Sequence, residues 1–195
     1  TCALPIYRQA IAPAAATHPA PRVPDAPDHR QEPAHLLERI AQGLKLAPPN
    51  TRLVETLAKQ HRANGGMAHM FAQAAPLLYL VVEEVEKRKL PMELALIPFV
   101  ESAFNPSATS DKGAHGPWQF MPFTGVRFGL AKDRFRDERR AWLLSTRAAL
   151  DYLTLLHGMF GDWHLAIAAY NAGEGRVEGA RRRAIAAGNL PTFEN

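Results

Sequence analysis

Leu94-Ala95-Leu96-Ile97-Pro98-Phe99-Val100 runs straight into Glu101, and between Glu93 and Asp111 no other side chain carries a formal charge. At helical spacing Leu94, Ile97, Glu101 and Phe104 share one face, which the apolar neighbours direct inward. Pro91 suits the first turn of such a helix, and Asn105-Pro106 ends it, because a residue before proline avoids the helical region. Pro98 is expected to kink it on the way. The chain must therefore fold so that one carboxyl group is carried toward apolar surroundings. Burial of that kind raises a carboxylate's pKa and keeps it protonated near neutral pH, which is what donating a proton to a glycosidic oxygen requires.

The rest of the chain reads as mainly α. Leu36, Leu37 and Ile40 recur at helical spacing, as do Leu53, Val54 and Leu57 after Asn50-Thr51, a plausible N-cap. Asn64-Gly65-Gly66 breaks the second segment, and a longer helix is predicted from Met67 to Lys89 with a break or kink at Pro76. Residues 107–117 are rich in Ser, Thr, Asp and Gly and read as a structured loop. Further helices are predicted near Phe123–Phe128, Ser145–Phe160 and Trp163–Asn171, the last capped by Asp162. Gly173 and Gly175 then separate it from a basic helix ending near Ala187. Strand-period alternation of useful length is absent.

Four regions follow. Residues 1–6, Thr-Cys-Ala-Leu-Pro-Ile, read as an adaptor-derived artefact, and residues 7–33 as an Ala/Pro-rich disordered tether. Residues 34–76 form an N-terminal helical region. Residues 77–195 form the functional domain, read as truncated at its C-terminal end.

With 195 residues, 47% hydrophobic and 22% charged, the chain can bury one core beside a flexible flank. No apolar stretch has the length needed to span a bilayer. A net charge of +4 is modest, and no Lys/Arg stripe with interleaved aromatics points to nucleic acid. The run Arg181-Arg182-Arg183 is most simply a solvated helix face, with contact to an anionic polymer as the functional alternative. Cys2 is the only cysteine, which excludes an intrachain disulfide and a cysteine-rich metal site, and its adaptor context sets aside a lipid anchor. The eight histidines show no zinc-binding spacing, and no cofactor is expected. His115 is read as a solvated loop residue.

Polar groups downstream of Glu101 stand in otherwise apolar or Gly/Pro-rich stretches. They are Ser110, Gln119 and Tyr170, with Trp118, Phe120 and Met121 as apolar surfaces of the kind sugar rings pack against. Each has a structural alternative: Ser110 as a turn residue, Gln119 as a loop cap, the aromatics as core, and Tyr170 as a buried tyrosine.

The order and spacing of Glu101–Pro106, Gly116–Pro122 and Ala169–Gly173 resemble the lytic transglycosylase catalytic domain of the soluble type, related to goose-type lysozyme. The similarity extends from about His35 to Arg183, through Val81–Pro91, Glu93–Ser102 and Ser145–Trp163. It implies a lysozyme-like helical domain with a glycan-binding groove. Residue by residue, it places the acid/base role on Glu101 and the serine that follows it on Ser102. The serine contacting the substrate N-acetyl group falls on Ser110, the glycan groove on Gln119 and Met121, and the tyrosine and asparagine of the third motif on Tyr170 and Asn171. Gly116-Pro117-Trp118-Gln119 departs from the family's usual Gly-Leu-Met-Gln or Gly-Met/Leu-Trp-Gln, which puts the backbone of the groove wall at Pro117 in question.

The implied partner is the peptidoglycan glycan strand, cleaved between N-acetylmuramic acid and N-acetylglucosamine without water to leave a 1,6-anhydromuramyl end. No metal or nucleic acid is implied. Such a protein works in the periplasm or cell envelope, with any membrane association supplied by an N-terminal anchor outside this sequence. Two rivals remain: a goose-lysozyme-like hydrolase, which needs a second carboxylate from Asp111, Asp133 or Asp137, and a non-catalytic glycan-binding module.

Overall fold

Ala74, Leu78, Val81, Val82 and Val85 recur at the spacing that lines one side of a helix, and all five are buried on helix α3 (Gly66–Lys87). α3 continues through Pro76 as one helix, so of the break or kink expected there the break does not occur. Proline there forfeits a backbone hydrogen bond, but buried Ala74 and Leu78 on either side hold the helix to the core. The computed structural model describes residues 33–49, 52–63 and 66–194. The adaptor-like start, Cys2, nearly all of the proposed tether, the Asn50-Thr51 cap and Asn64-Gly65 lie outside these residues.

Before α3 come α1 (Pro33–Gln42), which buries Leu36 and Ile40, and α2 (Arg52–Ala63). α1 packs on α3 and is tied to it by Arg39, which donates to Glu83 at 3.0 Å and Glu86 at 2.7 Å. α3 thus crosses the expected boundary between residues 76 and 77.

On its other side α3 meets α6 (Trp142–Phe160), whose Ala149, Leu150, Leu153 and Leu156 are fully enclosed. α6 in turn supports α7 (Trp163–Ala172), and α8 (Glu174–Ala186) packs on α7. Asp162 caps α7 as expected, accepting a hydrogen bond from the Leu165 amide at 2.9 Å. Gly173 alone separates α7 from α8, and Gly175 lies inside α8 rather than between the two. Among the described residues there is no strand, only isolated bridges Thr109–His115, His115–Phe120 and Lys132–Asp137.

The segment carrying Glu101 is shorter and more irregular than its spacing predicts. Met92–Leu96 is a 3-10 turn, and α4 covers only Ile97–Ser102, with Pro98 in its first turn where a missing N–H costs little. The helix stops before Asn105. Ala103 (φ 50) and Phe104 (φ 60) both turn left-handed, and their amides cap the Phe99 and Pro98 carbonyls at 3.1 Å each. This turn carries Phe104 inward, where it lies 4.4 Å from the Phe99 ring and stacks on Trp142 at 5.0 Å. The expected inward face survives, assembled from two kinds of helix and a turn.

Candidate active site

Glu101 sits at the end of α4 and lines a cavity of about 340 Å³ between α4 and α7. Ile97 and Val100 flank it on α4, and Ile167, Ala168, Tyr170 and Asn171 face it from α7. The lining is almost wholly apolar, so burial pushes the Glu101 carboxyl above the usual glutamate range. A hydrogen bond from the Asn171 side chain favours the ionised form and opposes that shift without cancelling it. Glu101 is the only carboxylate lining this cavity among the described residues.

Tyr170 lies next to the acid but spends its proton elsewhere. Its hydroxyl donates to the Trp118 carbonyl at 2.7 Å, and its ring meets Phe120 edge-on at 6.2 Å. Burial, with the Glu101 charge nearby, holds its pKa well above that of free tyrosine, so it remains a donor. One residue along, the Pro117 carbonyl accepts the Ser102 hydroxyl at 2.8 Å, while the same hydroxyl lies 3.2 Å from the Pro98 carbonyl. α4 and α7 therefore grip adjacent peptide units of one loop. Pro117 is fully buried, so the departure from the family pattern falls behind the cavity rather than on its surface.

That loop is built on buried anchors. Trp118 is 0% exposed and donates from Nε1 to Thr146 Oγ1 at 3.0 Å; Phe120 is also buried. The core alternative thus describes both aromatics better than a sugar-facing role. Gln119, at φ 48, turns its amide nitrogen onto the Gly116 carbonyl at 2.8 Å and the Ala108 carbonyl at 3.2 Å. Ser110 closes the turn by accepting the Ala114 amide at 3.0 Å. Met121 is 43% exposed at the start of α5 (Pro122–Arg127). Glu101, Tyr170 and Asn171 are brought together in the cavity, Ser102 stands behind it, and Ser110, Gln119 and Met121 belong to the loop and its exit without lining it.

Arg139 escapes a reading of the sequence. It is 5% exposed and forms a two-point ion pair with Asp137, at 2.9 and 2.6 Å, while donating to the Gly113 and Phe120 carbonyls at 3.0 and 2.9 Å. It thereby ties both ends of the bend 113–120. The charged run around it gives no hint of this, because the adjacent Arg140 is exposed. Gly116, at φ 82, touches the Arg139 backbone so closely that a Cβ would lie 1.9 Å from its carbonyl oxygen.

None of the three candidate second carboxylates reaches Glu101's cavity. Asp137 is engaged by Arg139, which holds it below the ordinary aspartate range. Asp133 accepts the Phe135 and Arg136 amides, and Asp111 is exposed in the loop turn. His115 is not simply solvated: its Nδ1 lies 2.6 Å from Thr109 Oγ1, and its backbone bridges to Phe120.

Residues 80–190 match the family model described as Transglycosylase SLT domain. Membrane-bound lytic murein transglycosylase D of Escherichia coli (strain K12) is 44% identical over 156 residues, which cover 79% of this chain and 34% of that protein. An Alteromonas sp. (strain M-1) protein named for tributyltin chloride resistance is 52% identical over 107 residues, covering 54% of this chain and 52% of the relative. Among solved structures, an inactive mutant of the lytic transglycosylase Slt from Pseudomonas aeruginosa aligns with 32% identity and a TM-score of 0.46, over 53% of this chain and 18% of that one. The chain spans about a third of the length of the Escherichia coli relative, 34%. Because the family match covers more than half of the chain, from within α3 to just beyond α8, and takes in Glu101, Tyr170 and Asn171, the chain belongs to the Transglycosylase SLT domain family.

Proposed function

We propose that this chain is the catalytic domain of a peptidoglycan lytic transglycosylase, cleaving the β-1,4 bond between N-acetylmuramic acid and N-acetylglucosamine. The observation that carries this reading is a lone, burial-raised carboxyl group in an apolar cavity with an asparagine amide on it. Glycosidases of the ordinary retaining or inverting kinds use a pair of carboxylates, and substrate assistance replaces the second.

Protonated Glu101 donates to the glycosidic oxygen as the bond to C1 breaks. The acetamido oxygen of the muramic acid residue attacks C1 internally, gaining from its proximity. Ionised Glu101, now stabilised by Asn171, takes the proton from the C6 hydroxyl. That oxygen displaces the acetamido group and closes the 1,6-anhydro ring, so no water enters. Ser110 orients the acetamido group from the loop, and Met121 offers an exposed apolar contact to the glycan. Gln119 serves the groove by shaping its wall, since its amide nitrogen is held by the loop backbone. No metal or cofactor has a step in this scheme. Because the polymer lies outside the inner membrane, the site of action is the periplasm or cell envelope, in keeping with a relative named membrane-bound.

Mass spectrometry of muropeptides released from purified peptidoglycan tests the reading. Products one water lighter than reducing-end fragments are expected. Reducing muramic acid ends would make the protein a hydrolase, and the absence of release would leave glycan binding alone. Glu101→Gln is expected to retain glycan binding and to lose cleavage by a factor of about 10³ or more, the scale on which removing a principal acid/base acts.

A further inference from the structure

Glu174 is the first residue of α8 and follows Gly173, whose backbone (φ 93, ψ 138) forms the whole connection from α7. A carboxylate at a helix N-terminus is favoured by the dipole and needs no further partner. Here it has two. The Tyr152 hydroxyl, from α6, donates to Glu174 Oε2 at 2.7 Å, and Arg127, from α5, lies 3.3 Å from Oε1. Tyr152 is buried, and its ring lies 5.5 Å from Tyr170 and 4.8 Å from Phe128. Burial and the Glu174 carboxylate keep the Tyr152 pKa well above that of free tyrosine, so it stays a donor throughout the working pH range. Three elements therefore meet on one side chain, immediately beyond the turn that ends with Asn171 facing Glu101.

We propose that Glu174 and Tyr152 are a positioning pair: they clamp the far side of the Gly173 turn and thereby hold the Asn171 amide on Glu101. Gly173 has no side chain to fix the turn, and Asn171 itself is exposed, so its alignment depends on what holds the chain on either side. On the near side Tyr170 is bonded to the loop at Trp118. On the far side the hydrogen bond from Tyr152 to Glu174 performs the same task, with Arg127 as an outer support.

The consequence has a definite sign. Asn171 favours ionised Glu101, so loosening it should raise the Glu101 midpoint further while slowing catalysis. The groups facing Glu101 across the cavity are the Tyr170 hydroxyl and the Asn171 amide, and His164 on α7 is the other titratable side chain in its lining. None of these residues is itself replaced in Tyr152→Phe or Glu174→Ala, and Tyr152→Phe keeps the ring that packs on Tyr170.

This inference builds on the reading of Glu101 as the acid, yet its test does not depend on turnover. Glu101 would be titrated by carbon-13 NMR of its labelled carboxyl in the full chain, in Tyr152→Phe, in Glu174→Ala, and in both combined separately with Asn171→Ala. Tyr152→Phe keeps the ring contacts, and thermal melts establish that each variant is folded. Asn171→Ala should raise the midpoint, Tyr152→Phe and Glu174→Ala should raise it by less, and neither should add anything once Asn171 is gone. In turnover, Tyr152→Phe should lower kcat about tenfold and move the alkaline limb of kcat/KM upward. An unmoved midpoint in both folded single variants, or an equal shift with and without Asn171, would overturn the proposal. If the parent cleaves nothing, the transglycosylase reading fails while the titration still decides this one.

Discussion

Glu84 and Glu101 show what surroundings do to the same side chain. Glu84 is 4% exposed on α3 but accepts from Arg88 at 2.6 Å and from Arg147 at 3.2 Å, and its pKa falls to about 2. Glu101 has an amide in place of arginines, and burial wins. The acid can be picked out in sequence because no other charge lies near it, whereas Glu84 is hidden among Glu83, Glu86, Lys87 and Arg88. Tyr170 stands out as a polar group in an otherwise apolar stretch, whereas Asn171 is reached only through the resemblance carried by Ala169–Gly173. The roles of Ser110 and Gln119 are not legible, since a hydroxyl or amide in a loop serves backbone turns and ligands equally well, and here the backbone claims both. Ser102 can be tested directly. Ser102→Ala removes the donor to the buried Pro117 peptide, so it should cost about 1–2 kcal/mol in urea unfolding. It should also lower kcat, because the end of α4 loses its tie to the loop; a variant as stable and active as the parent would show that the Pro98 and Pro117 carbonyls need no such donor.

At the scale of elements, the long helices follow their apolar periodicity, and α6 and α7 fall close to where spacing puts them. Local signals mislead where packing outbids them. Pro76 is carried inside α3, and Asn105-Pro106 does not end α4 because two left-handed residues have already done so. The loop from Asn105 to Met121 has no periodicity to read, and its shape is set from outside by a residue far along the chain. Arg139→Met should therefore act on the loop before the helices. It strands the Gly113 carbonyl, leaves the Phe120 carbonyl with the His115 amide alone, and takes the cation from Asp137, at a cost of about 3 kcal/mol, near the lower end for breaking a buried ion pair. Hydrogen exchange at the His115, Gly116 and Phe120 amides should accelerate more than exchange in α6. Gly116→Ala should give the same loop signature, since its Cβ would collide with the Arg139 backbone. Uniform acceleration across the molecule in either variant would contradict a local role for this anchor.

For the whole molecule, the two displaced glutamates give stability a pH dependence whose limbs have different owners. Glu84 has a folded pKa of about 2, below its ordinary value of 4.5, so the unfolded chain binds more protons between those values. Its contribution is complete above pH 4.5 and is lost as pH falls toward 2, and Asp137, lowered by Arg139, adds to this acid limb. Glu101 is displaced upward, so in the window between its ordinary and its folded pKa the native state binds more protons. Stability is therefore lost as pH rises through that window, a cost the fold carries to keep the acid protonated. Urea unfolding measured from pH 3 to pH 8 should separate the two. Glu101→Gln should match the parent at low pH, where the carboxyl is neutral in both states, and become the more stable protein as pH rises. Glu84→Gln should be less stable by about 2 kcal/mol at neutral pH, with the gap closing as the medium is acidified, because Arg88 and Arg147 retain enough contact with water to tolerate losing their partner. If Glu101→Gln instead tracked the parent at every pH, the carboxyl could not be held in an environment that disfavours its charge, and its assignment as a proton donor near neutral pH would fall with it.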